Sequence, residues 1–311
     1  MTGARMSSPT LTVIMSIYNG KRFLRTAVKS ILEQTYSDFE FLIIDDGSTE
    51  RVDEIVESFN DKRIVFVKQK NRGLTRTLNR LIDMSSGNYL ARMDSDDISD
   101  KTRLQKQIEA VSHNAKLDMV GTYFEIIDEK DQLIRSKVLI HDPLYRLWRL
   151  QFHNNYAHGS MLLKKSSVQR LGKYDTTLRY AQDYDLWVRI SKVENSHMIP
   201  EYLYKYRLVQ NSDQASVKNY EEQLEAAIKI SDNSLLTSNH DLSQSELVQV
   251  RSVYWNFQLA NVSKEGLRLI PKLFEGFCRR YGLSLSQRHC LWAMVEEDLI
   301  TREGCESFTN H

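Results

Sequence analysis

The chain has few cysteines, no long apolar run and almost no net charge. Its cysteines, Cys278, Cys290 and Cys305, lack the spacing of a metal site and suit a reducing compartment. The longest apolar runs, such as Leu11–Ile17 and Phe39–Ile44, fall far short of the ~20 residues that cross a bilayer. The sequence therefore predicts no membrane-spanning segment.

The net charge and the N-terminal residues give two further indications, one about binding partners and one about cellular location. Forty-two basic residues against 41 acidic residues give a formal charge of +1, so charge does not indicate a nucleic-acid partner or an anionic membrane. Residues 1–9 lack the hydrophobic block of a signal peptide and are expected to be a disordered lead-in. We therefore expect a globular protein with a cytoplasmic location.

The order of apolar patterns predicts an α/β protein with a helical C-terminal region. Strand-length runs alternate with amphipathic helices up to about residue 124, which is typical of β-α-β units on a parallel sheet. Predicted strands there are Leu11–Ile17, Phe39–Asp45, Ile64–Lys68 and Tyr89–Met93, and predicted helices are Arg22–Gln34 and Leu74–Met84. Further strands are predicted at Met119–Ile127, Gly159–Leu163 and Tyr202–Leu208, and further helices at Leu144–Phe152 and Asp183–Val193. Beyond Asp213, helices are predicted at Tyr220–Ser231, Glu246–Ala260, Gly266–Tyr281 and Gln287–Leu299.

A polar cluster follows each of the first four predicted strands. These clusters are residues 16–20, 45–48, 71–73 and 94–97. In open α/β sheets the carboxyl ends of the strands border the ligand crevice, so four clusters at one edge predict one site.

The acidic cluster Asp94-Ser95-Asp96-Asp97 is the most informative of the four. Three carboxylates in four residues repel one another, and a divalent cation would neutralise them. Carboxylate oxygens suit Mg²⁺ and Mn²⁺, which commonly bridge protein carboxylates to substrate phosphates. The alternative is a solvated acidic turn in which Asp97 or Ser99 caps the next helix.

Two other clusters carry groups that could bind a nucleotide or act as a base. The Tyr18 ring could stack on a base, and Asp46 could accept the imide N–H of uracil or thymine, although Asp-Asp-Gly-Ser is also an ordinary turn. Asp183 begins a predicted helix that Leu186 and Trp187 anchor. It is either a helix cap or a carboxylate that deprotonates an acceptor hydroxyl.

Taken together, seven blocks resemble glycosyltransferase family 2 in order and spacing, over roughly residues 9–212. These blocks are Leu11–Gly20, Ser30–Tyr36, Leu42–Ser48, Asn71–Gly73 with Asn79, Asp94–Asp97, His158–Ser160 and Gln182–Trp187. The resemblance implies a GT-A fold, a nucleotide-diphosphate-sugar donor with a UDP-sugar favoured, Mn²⁺ or Mg²⁺, and inversion at the anomeric carbon. We therefore expect a catalytic domain over 10–212, with a nucleotide-binding half (10–124) and an acceptor half (125–212). The resemblance does not cover the C-terminal helices, and the apolar pattern alone predicts a helical region (213–303) and a tail (304–311).

The resemblance also assigns roles to individual residues. The nucleotide site is expected at Ser16, Tyr18, Asn19, Asp45, Asp46, Arg72, Asp94 and Ser95. Asp96, together with Asp94, is the expected metal site, and Asp183 is the expected general base. The donor-sugar and acceptor pocket is expected at Asp97, His158, Gly159 and Gln182.

Three departures from the family pattern matter. Val209 stands where many relatives have a histidine that completes the metal shell, and Gln182 stands where an acidic residue usually precedes the base. The Gln-X-X-Arg-Trp block of processive synthases is absent, which favours the addition of one sugar per encounter. The alternatives are a sugar-nucleotide nucleotidyltransferase, although its Gly-rich basic loop is missing, and a non-catalytic nucleotide-sugar-binding protein.

The expected acceptor is a saccharide or lipid-linked saccharide, in surface polysaccharide or lipopolysaccharide biosynthesis. The C-terminal helices have an apolar face that must be buried against the catalytic domain, against a second copy of the chain or against the inner face of a membrane. No nucleic-acid partner is expected.

Overall fold

The computed structural model describes residues 11–191, 195–209, 219–238, 242–255 and 263–304. These residues form two compact units. The sheet unit contains residues up to 139 together with 156–220, and the helical unit contains residues 140–155 together with those from 221 onwards.

The sheet unit is built on one mixed sheet. Its strands are β1 (Leu11–Ile17), β2 (Phe39–Asp45), β3 (Ile64–Lys68), β4 (Tyr89–Met93), β5 (Ile98–Ser99), β6 (Leu117–Ile127), β7 (Leu133–Lys137), β8 (Leu162–Lys164) and β9 (Asn195–Arg207). Their order is β3-β2-β1-β4-β8-β6-β9-β5, and β7 pairs with β6. The strands β1 to β4 are parallel, β8 runs antiparallel to β4 and β6, and β6 is parallel to β9.

Helices cover this sheet because its central strands are apolar on both faces. Every residue of β1 is buried, as expected for a parallel strand between two helical layers. The helices of the unit are α1 (Lys21–Leu32), α2 (Val52–Glu57), α3 (Leu74–Met84), α4 (Arg103–His113), α6 (Lys165–Arg170) and α7 (Gln182–Ser191). A 3₁₀ turn spans His158–Ser160.

The helical unit has a core of its own. It contains α5 (Pro143–Leu150), α8 (Tyr220–Ser238), α9 (Gln244–Trp255), α10 (Lys264–Arg280) and α11 (Leu285–Gly304). Trp148 packs edge-on against Phe274 and Phe277, and its indole N–H donates to the Tyr254 hydroxyl at 3.0 Å. Phe152 stacks on Tyr254, with ring centroids 4.0 Å apart. None of the described helices is both long and apolar enough to cross a membrane.

The first four strands and the Leu74–Met84 helix have the bounds that the sequence predicts, but the second half differs. The predicted strand Gly159–Leu163 is instead a 3₁₀ turn followed by β8, and β9 begins at Asn195 rather than Tyr202. Residues 140–155, predicted within the catalytic domain, pack with the C-terminal helices because α5 buries its aromatic side chains there.

Parts of two predicted helices lie outside the described residues. They are Val193 of the predicted helix Asp183–Val193 and residues 256–260 of the predicted helix Glu246–Ala260. Of the cysteines, Cys278 is buried, Cys290 is exposed, and Cys305 lies outside the described residues.

Candidate active site

The loops after β1 and β2 are joined by hydrogen bonds at the carboxyl edge of the sheet. The Asn19 backbone is left-handed, with φ of 59°. Its N–H donates to Ser48 Oγ at 2.8 Å, and its side-chain oxygen accepts from the Thr49 N–H at 2.9 Å. Ser16 is almost fully buried, whereas the Tyr18 ring is 57% exposed. The ring is therefore open to stacking by a planar ligand.

Asp46 organises the neighbouring loop. Its buried carboxylate accepts hydrogen bonds from the backbone N–H groups of Arg72 and Gly73, both at 2.9 Å, and from Gln69 Nε2 at 2.6 Å. These bonds occupy the carboxylate that the sequence predicted to read a base, and they fix the backbone on which the exposed Arg72 side chain stands. The Asp45 carboxylate caps its own turn through the Ser48 N–H at 2.9 Å.

The loop packing at this edge requires a glycine at position 47. Gly47 has φ of +81°, and a Cβ there would lie 2.6 Å from the Asn71 backbone nitrogen. The turn after β2 and the loop after β3 thus touch through their backbones, which brings two of the four predicted polar clusters together.

The three carboxylates after β4 have different surroundings. Asp94 forms an ion pair with the buried Arg92 at 2.5 Å. The Asp96 carbonyl accepts from Arg207 Nε at 2.7 Å. The Asp97 carboxylate is buried and accepts from the Tyr204 hydroxyl at 2.6 Å and from the Arg207 N–H at 2.7 Å. Burial, and then the charges of Asp96 and Asp94, raise the pKa of Asp97 well above its usual value.

A buried arginine supports this loop from within the sheet unit. Arg103 donates to Ser99 Oγ at 2.7 Å, to the Arg92 carbonyl at 3.1 Å and to the Gly159 carbonyl at 2.5 Å. Its guanidinium lies over the Tyr204 ring, and burial lowers the pKa of Arg103 to about 10, so it remains charged at neutral pH. One cation therefore joins β4, the segment after it and the 3₁₀ turn.

The 3₁₀ turn brings His158 and Gly159 to the same site. A Cβ at Gly159 would collide with the Tyr204 hydroxyl and lie 3.0 Å from Asp94 Oδ2. His158 Nε2 is 2.7 Å from the Tyr174 hydroxyl, and the His158 ring packs against the Trp187 ring. Burial, and then the charge of Arg92, hold the pKa of His158 well below its usual value, so the imidazole is neutral.

Helix α7 carries both Asp183 and Trp187, whose ring packs against His158. Gln182 is buried at the start of α7, and Asp183 follows in the first turn. Burial is the main cause that raises the pKa of Tyr174, and the charges of Asp183 and Asp94 raise it further. The charges of Asp94 and Asp183, which come from different halves of the sheet unit, therefore both influence the Tyr174 hydroxyl electrostatically. The Asp185 carboxylate, two residues further along α7, forms an ion pair with Arg189 at 2.6 Å.

Several residues at this site were missed by the sequence reasoning. They are Arg92, Arg103, Tyr174, Tyr204 and Arg207. An arginine inside the apolar run of β4 was a signal that a buried counter-charge follows, because buried cations are usually paired. The sequence contains no comparable signal for Tyr204, whose partner Asp97 lies more than 100 residues away.

The carboxylates after β4 fit a divalent metal that is shared with a ligand. Among the described residues, no three His, Cys, Asp or Glu side chains are arranged to hold one ion. Asp94 and Asp96 offer two carboxylates, and Mg²⁺ is usually held by one or two carboxylates together with waters and substrate phosphates. Val209 is buried and apolar and contributes no ligand.

Comparison with known proteins identifies the family. Residues 12–172 match the family described as Glycosyl transferase family 2. The chain belongs to glycosyltransferase family 2. It is 33% identical over 234 residues to an uncharacterized glycosyltransferase of Haemophilus influenzae, covering 71% of this chain and 72% of the relative. It is 32% identical over 221 residues to the O-antigen biosynthesis glycosyltransferase WbnJ of Escherichia coli, covering 68% and 85% respectively.

The fold agrees with that assignment. The crystal structure of S. aureus TarS 1-349 in complex with UDP-GlcNAc is similar, with a TM-score of 0.63 and 16% identity, covering 96% of this chain and 90% of that one. At this identity the similarity supports the fold alone. The predicted GT-A fold and the prediction of a glycosyltransferase enzyme are both confirmed.

Proposed function

We propose that this glycosyltransferase moves a sugar from a nucleotide-diphosphate donor to a hydroxyl of a saccharide or lipid-linked saccharide, with inversion at the anomeric carbon. The observation that carries the proposal is the family match over residues 12–172, together with a site at which the Tyr204 hydroxyl that bonds Asp97 and the Asp94 carboxylate both lie close to Gly159. A family 2 transferase needs a leaving-group site and a base on opposite sides of the sugar, and we assign Asp94 with Asp96 to the first and Asp183 to the second.

The donor nucleotide is assigned to the joined loops after β1, β2 and β3. The exposed Tyr18 ring offers a stacking surface, and we assign Ser16 and Asp45, at the ends of the paired strands β1 and β2, to the same nucleotide site. Asp46 acts here as a positioning residue, because its carboxylate holds the Arg72 backbone. We assign the exposed Arg72 guanidinium as the cation that binds the donor diphosphate. TarS, which shares the fold, has been crystallised with UDP-GlcNAc, and this supports a UDP-sugar donor.

The metal site is assigned to Asp96 and Asp94, with Ser95 between them. A divalent cation, Mn²⁺ or Mg²⁺, neutralises negative charge on the departing diphosphate when it is bound. Arg207 and Tyr204 hold the backbone and the buried Asp97 so that the Asp96 side chain stays at the crevice. Arg92 balances the charge of Asp94.

Asp183 is assigned as the general base. In the reaction the acceptor oxygen bonds to the anomeric carbon as the bond from that carbon to the diphosphate oxygen breaks. The acceptor proton passes to Asp183, and the nucleotide diphosphate leaves with the electron pair. Positioning supplies much of the rate, and the neutral His158 and Gln182 shape the pocket beside the base.

The biological setting is proposed from the relatives. WbnJ is an O-antigen biosynthesis enzyme, which favours surface polysaccharide or lipopolysaccharide as the product. We place the enzyme in the cytoplasm, at the inner face of the membrane when its acceptor is lipid-linked.

A donor panel tests the proposal. The purified enzyme is incubated with UDP-, GDP- and dTDP-sugars and Mn²⁺, and nucleotide diphosphate release is measured with and without a mixture of saccharide acceptors. We expect release from one donor class, accelerated by an acceptor, and NMR of the product shows inverted anomeric configuration. A donor that binds but releases no nucleotide diphosphate with any acceptor contradicts the proposal.

A further inference from the structure

An exposed hairpin extends beyond the carboxyl ends of the parallel strands. Strand β7 pairs only with the last four residues of β6, and every residue of β7 is exposed. Strand β6 runs parallel to β4, because both are antiparallel to β8. The end of β6 therefore points to the same edge as the end of β4, where Asp94 and Asp96 lie.

The pairing register places two cations of β7 on the face that carries the site. Lys137 pairs with Phe124, and Phe124 pairs with Tyr204. Residues paired in this way share a face, and adjacent strands are ~4.8 Å apart, so the Lys137 and Tyr204 backbones are about 10 Å apart. Arg135 occupies the next row, opposite Ile126. Tyr204 is the residue whose hydroxyl bonds Asp97.

The Arg207 side chain links the turn of this hairpin to the acidic cluster Asp94–Asp97. Arg207 Nη1 donates to the Asp128 carbonyl at 2.8 Å and pairs with Asp131 at 2.6 Å, while Nε of the same side chain donates to the Asp96 carbonyl. The Arg207 guanidinium also lies over the Phe23 ring, 4.3 Å from its centroid. One buried side chain thus sets the position of the hairpin relative to Asp96.

The four carboxylates of the hairpin turn and of the end of β6 each bond or pair with other groups. Asp128 accepts from the N–H groups of Lys130 and Gln132, Asp131 pairs with Arg207, Glu129 pairs with Arg22, and Glu125 faces the opposite side with Lys205. Within the described part of the chain, neither Arg135 nor Lys137 forms an ion pair. Partial desolvation and the charge of Arg135 lower the pKa of Lys137, so the two cations are close neighbours.

Two adjacent cations without a counter-charge repel each other, and a bound anion removes that cost. We propose that Arg135 and Lys137 bind a negatively charged group, a phosphate or a carboxylate, of the acceptor. This inference rests on the proposed function, since it assigns the acceptor side of the same site. The hairpin therefore selects anionic acceptors and holds them beside the reacting sugar.

Binding of small charged sugars tests the site without knowledge of the natural acceptor. The test variant is Arg135→Gln/Lys137→Gln. The matched control is Lys62→Gln/Lys116→Gln, which removes the same charge from exposed lysines before β3 and β6, at the opposite edge of the sheet. Glucose 6-phosphate, glucuronate and glucose are titrated into each full-length protein, and dissociation constants are measured by NMR.

We expect the wild type and the control to bind at least one charged sugar more tightly than glucose. The test variant should lose about tenfold of that affinity, because charge-assisted hydrogen bonds to the anion are lost, while glucose binding stays the same. The stronger of the two charged probes identifies phosphate or carboxylate. Equal binding by the test variant and the control, or no preference of the wild type for a charged sugar, overturns the proposal.

Donor turnover by the wild type, measured in parallel, separates this inference from the proposed function. If no nucleotide sugar is turned over but anion binding depends on Arg135 and Lys137, the result supports the anion site and contradicts the proposed transfer reaction. If a donor is turned over and anion binding does not depend on the pair, the result supports the transfer reaction and contradicts the anion site.

Discussion

Three aspartates within four residues have three environments, so identical substitutions should have different effects. Asp96 is partly exposed, Asp94 is paired with Arg92, and Asp97 is buried between Tyr204 and Arg207. A change at Asp96 should therefore affect ligands, whereas a change at Asp97 should affect the fold.

If Asp96 is the metal ligand as proposed, Asp96→Asn should abolish transfer and weaken Mn²⁺ binding without unfolding the protein, because its carboxylate is partly exposed and forms no part of the core. Transfer is measured with the donor found in the panel, Mn²⁺ binding by electron paramagnetic resonance, and stability by thermal unfolding. Asp97→Asn serves as the contrast: it should lower stability by about 1–3 kcal/mol, because an amide nitrogen would meet a buried donor. If Asp96→Asn transfers sugar at the wild-type rate in the presence of a chelator, the proposal that Asp96 binds a catalytic metal is wrong.

Asp183→Asn should slow transfer by about 10²–10⁴-fold with little change in donor affinity, because asparagine keeps the shape and capping ability of aspartate but not its basicity. Asp185→Asn is the matched control on the same helix. It breaks the ion pair with Arg189 and should cost stability of about 1 kcal/mol or less, with near-normal transfer. Transfer rate, donor dissociation constant and melting temperature are compared for both variants. If the two variants transfer equally well, Asp183 is not the base.

The neutral His158 should make the protein less stable in acid. Its folded-state pKa is depressed, whereas in the unfolded chain the pKa is about 6.5. Below about pH 6.5 the unfolded state therefore binds a proton that the folded state does not, and stability falls by up to about 1.4 kcal/mol per pH unit. His158→Gln should reduce the drop in melting temperature between about pH 7.5 and about pH 5.5. The exposed His113→Gln should not, and an unchanged drop in His158→Gln would argue against a neutral histidine.

At the scale of elements, hydrogen bonds join the end of α1 to residues 99–104, which follow the acidic cluster Asp94–Asp97. Gln34 is buried, and its amide donates to the Asp100 carbonyl at 2.6 Å while its oxygen accepts from the Leu104 N–H at 3.0 Å. The Ser30 hydroxyl accepts from the Ser99 N–H at 3.1 Å. The block Ser30–Tyr36, which carried part of the family resemblance, therefore has a structural role here.

Gln34→Leu should lower the free energy of unfolding by about 1–3 kcal/mol, because it keeps the side-chain volume but leaves the buried Leu104 N–H without its partner. Urea denaturation measures the change. Gln105→Leu, which removes only an exposed bond to Glu109, should change stability by less than about 0.5 kcal/mol. If the free energy of unfolding falls by similar amounts in the two variants, the Gln34 hydrogen bonds do not stabilise the end of α1.

The sequence predicted the elements that are mostly apolar, whether they are buried, as β1, β2 and β4 are, or partly exposed, as β3 is. Each of these strands is a short, mostly apolar run between polar loops, and such runs have clear ends. Strand β5 has only two residues, and β7 is exposed throughout, so neither has a hydrophobic period to detect. The positions of Arg103 and Tyr204 depend on contacts across the sheet, which sequence spacing does not encode. For the same reason the sequence could not show that Asp46 bonds a neighbouring loop.

At the scale of the whole molecule, the helical unit is made from two separate stretches of the chain. Helix α5 contributes Trp148, whose ring is fully buried among side chains of α9 and α10. Ser231 of α8 donates to the Gln151 carbonyl at 2.8 Å, and Arg149 pairs with Asp298 of α11 at 2.9 Å. The C-terminal helices are therefore required to cover residues 140–155.

Truncation before Tyr220 should give an aggregated protein, because Trp148 and Phe152 lose their partners and large apolar surfaces become exposed. Co-expression of the missing residues as a separate chain should restore a soluble complex. Size-exclusion chromatography of both preparations measures the outcome. A truncated protein that stays monodisperse without the second chain would contradict this account of the helical unit.

The divided helical unit also has a consequence during protein synthesis. Residues 140–155 leave the ribosome long before α11, and about 130 residues made at roughly 5–20 residues per second separate them by on the order of ten seconds. During that time Trp148 and Phe152 have no core to enter, while the strands of the sheet unit up to β9 can already pair. A ribosome-bound chain that ends before α8 should therefore bind a hydrophobic dye or a chaperone, and completion of α11 should end that binding.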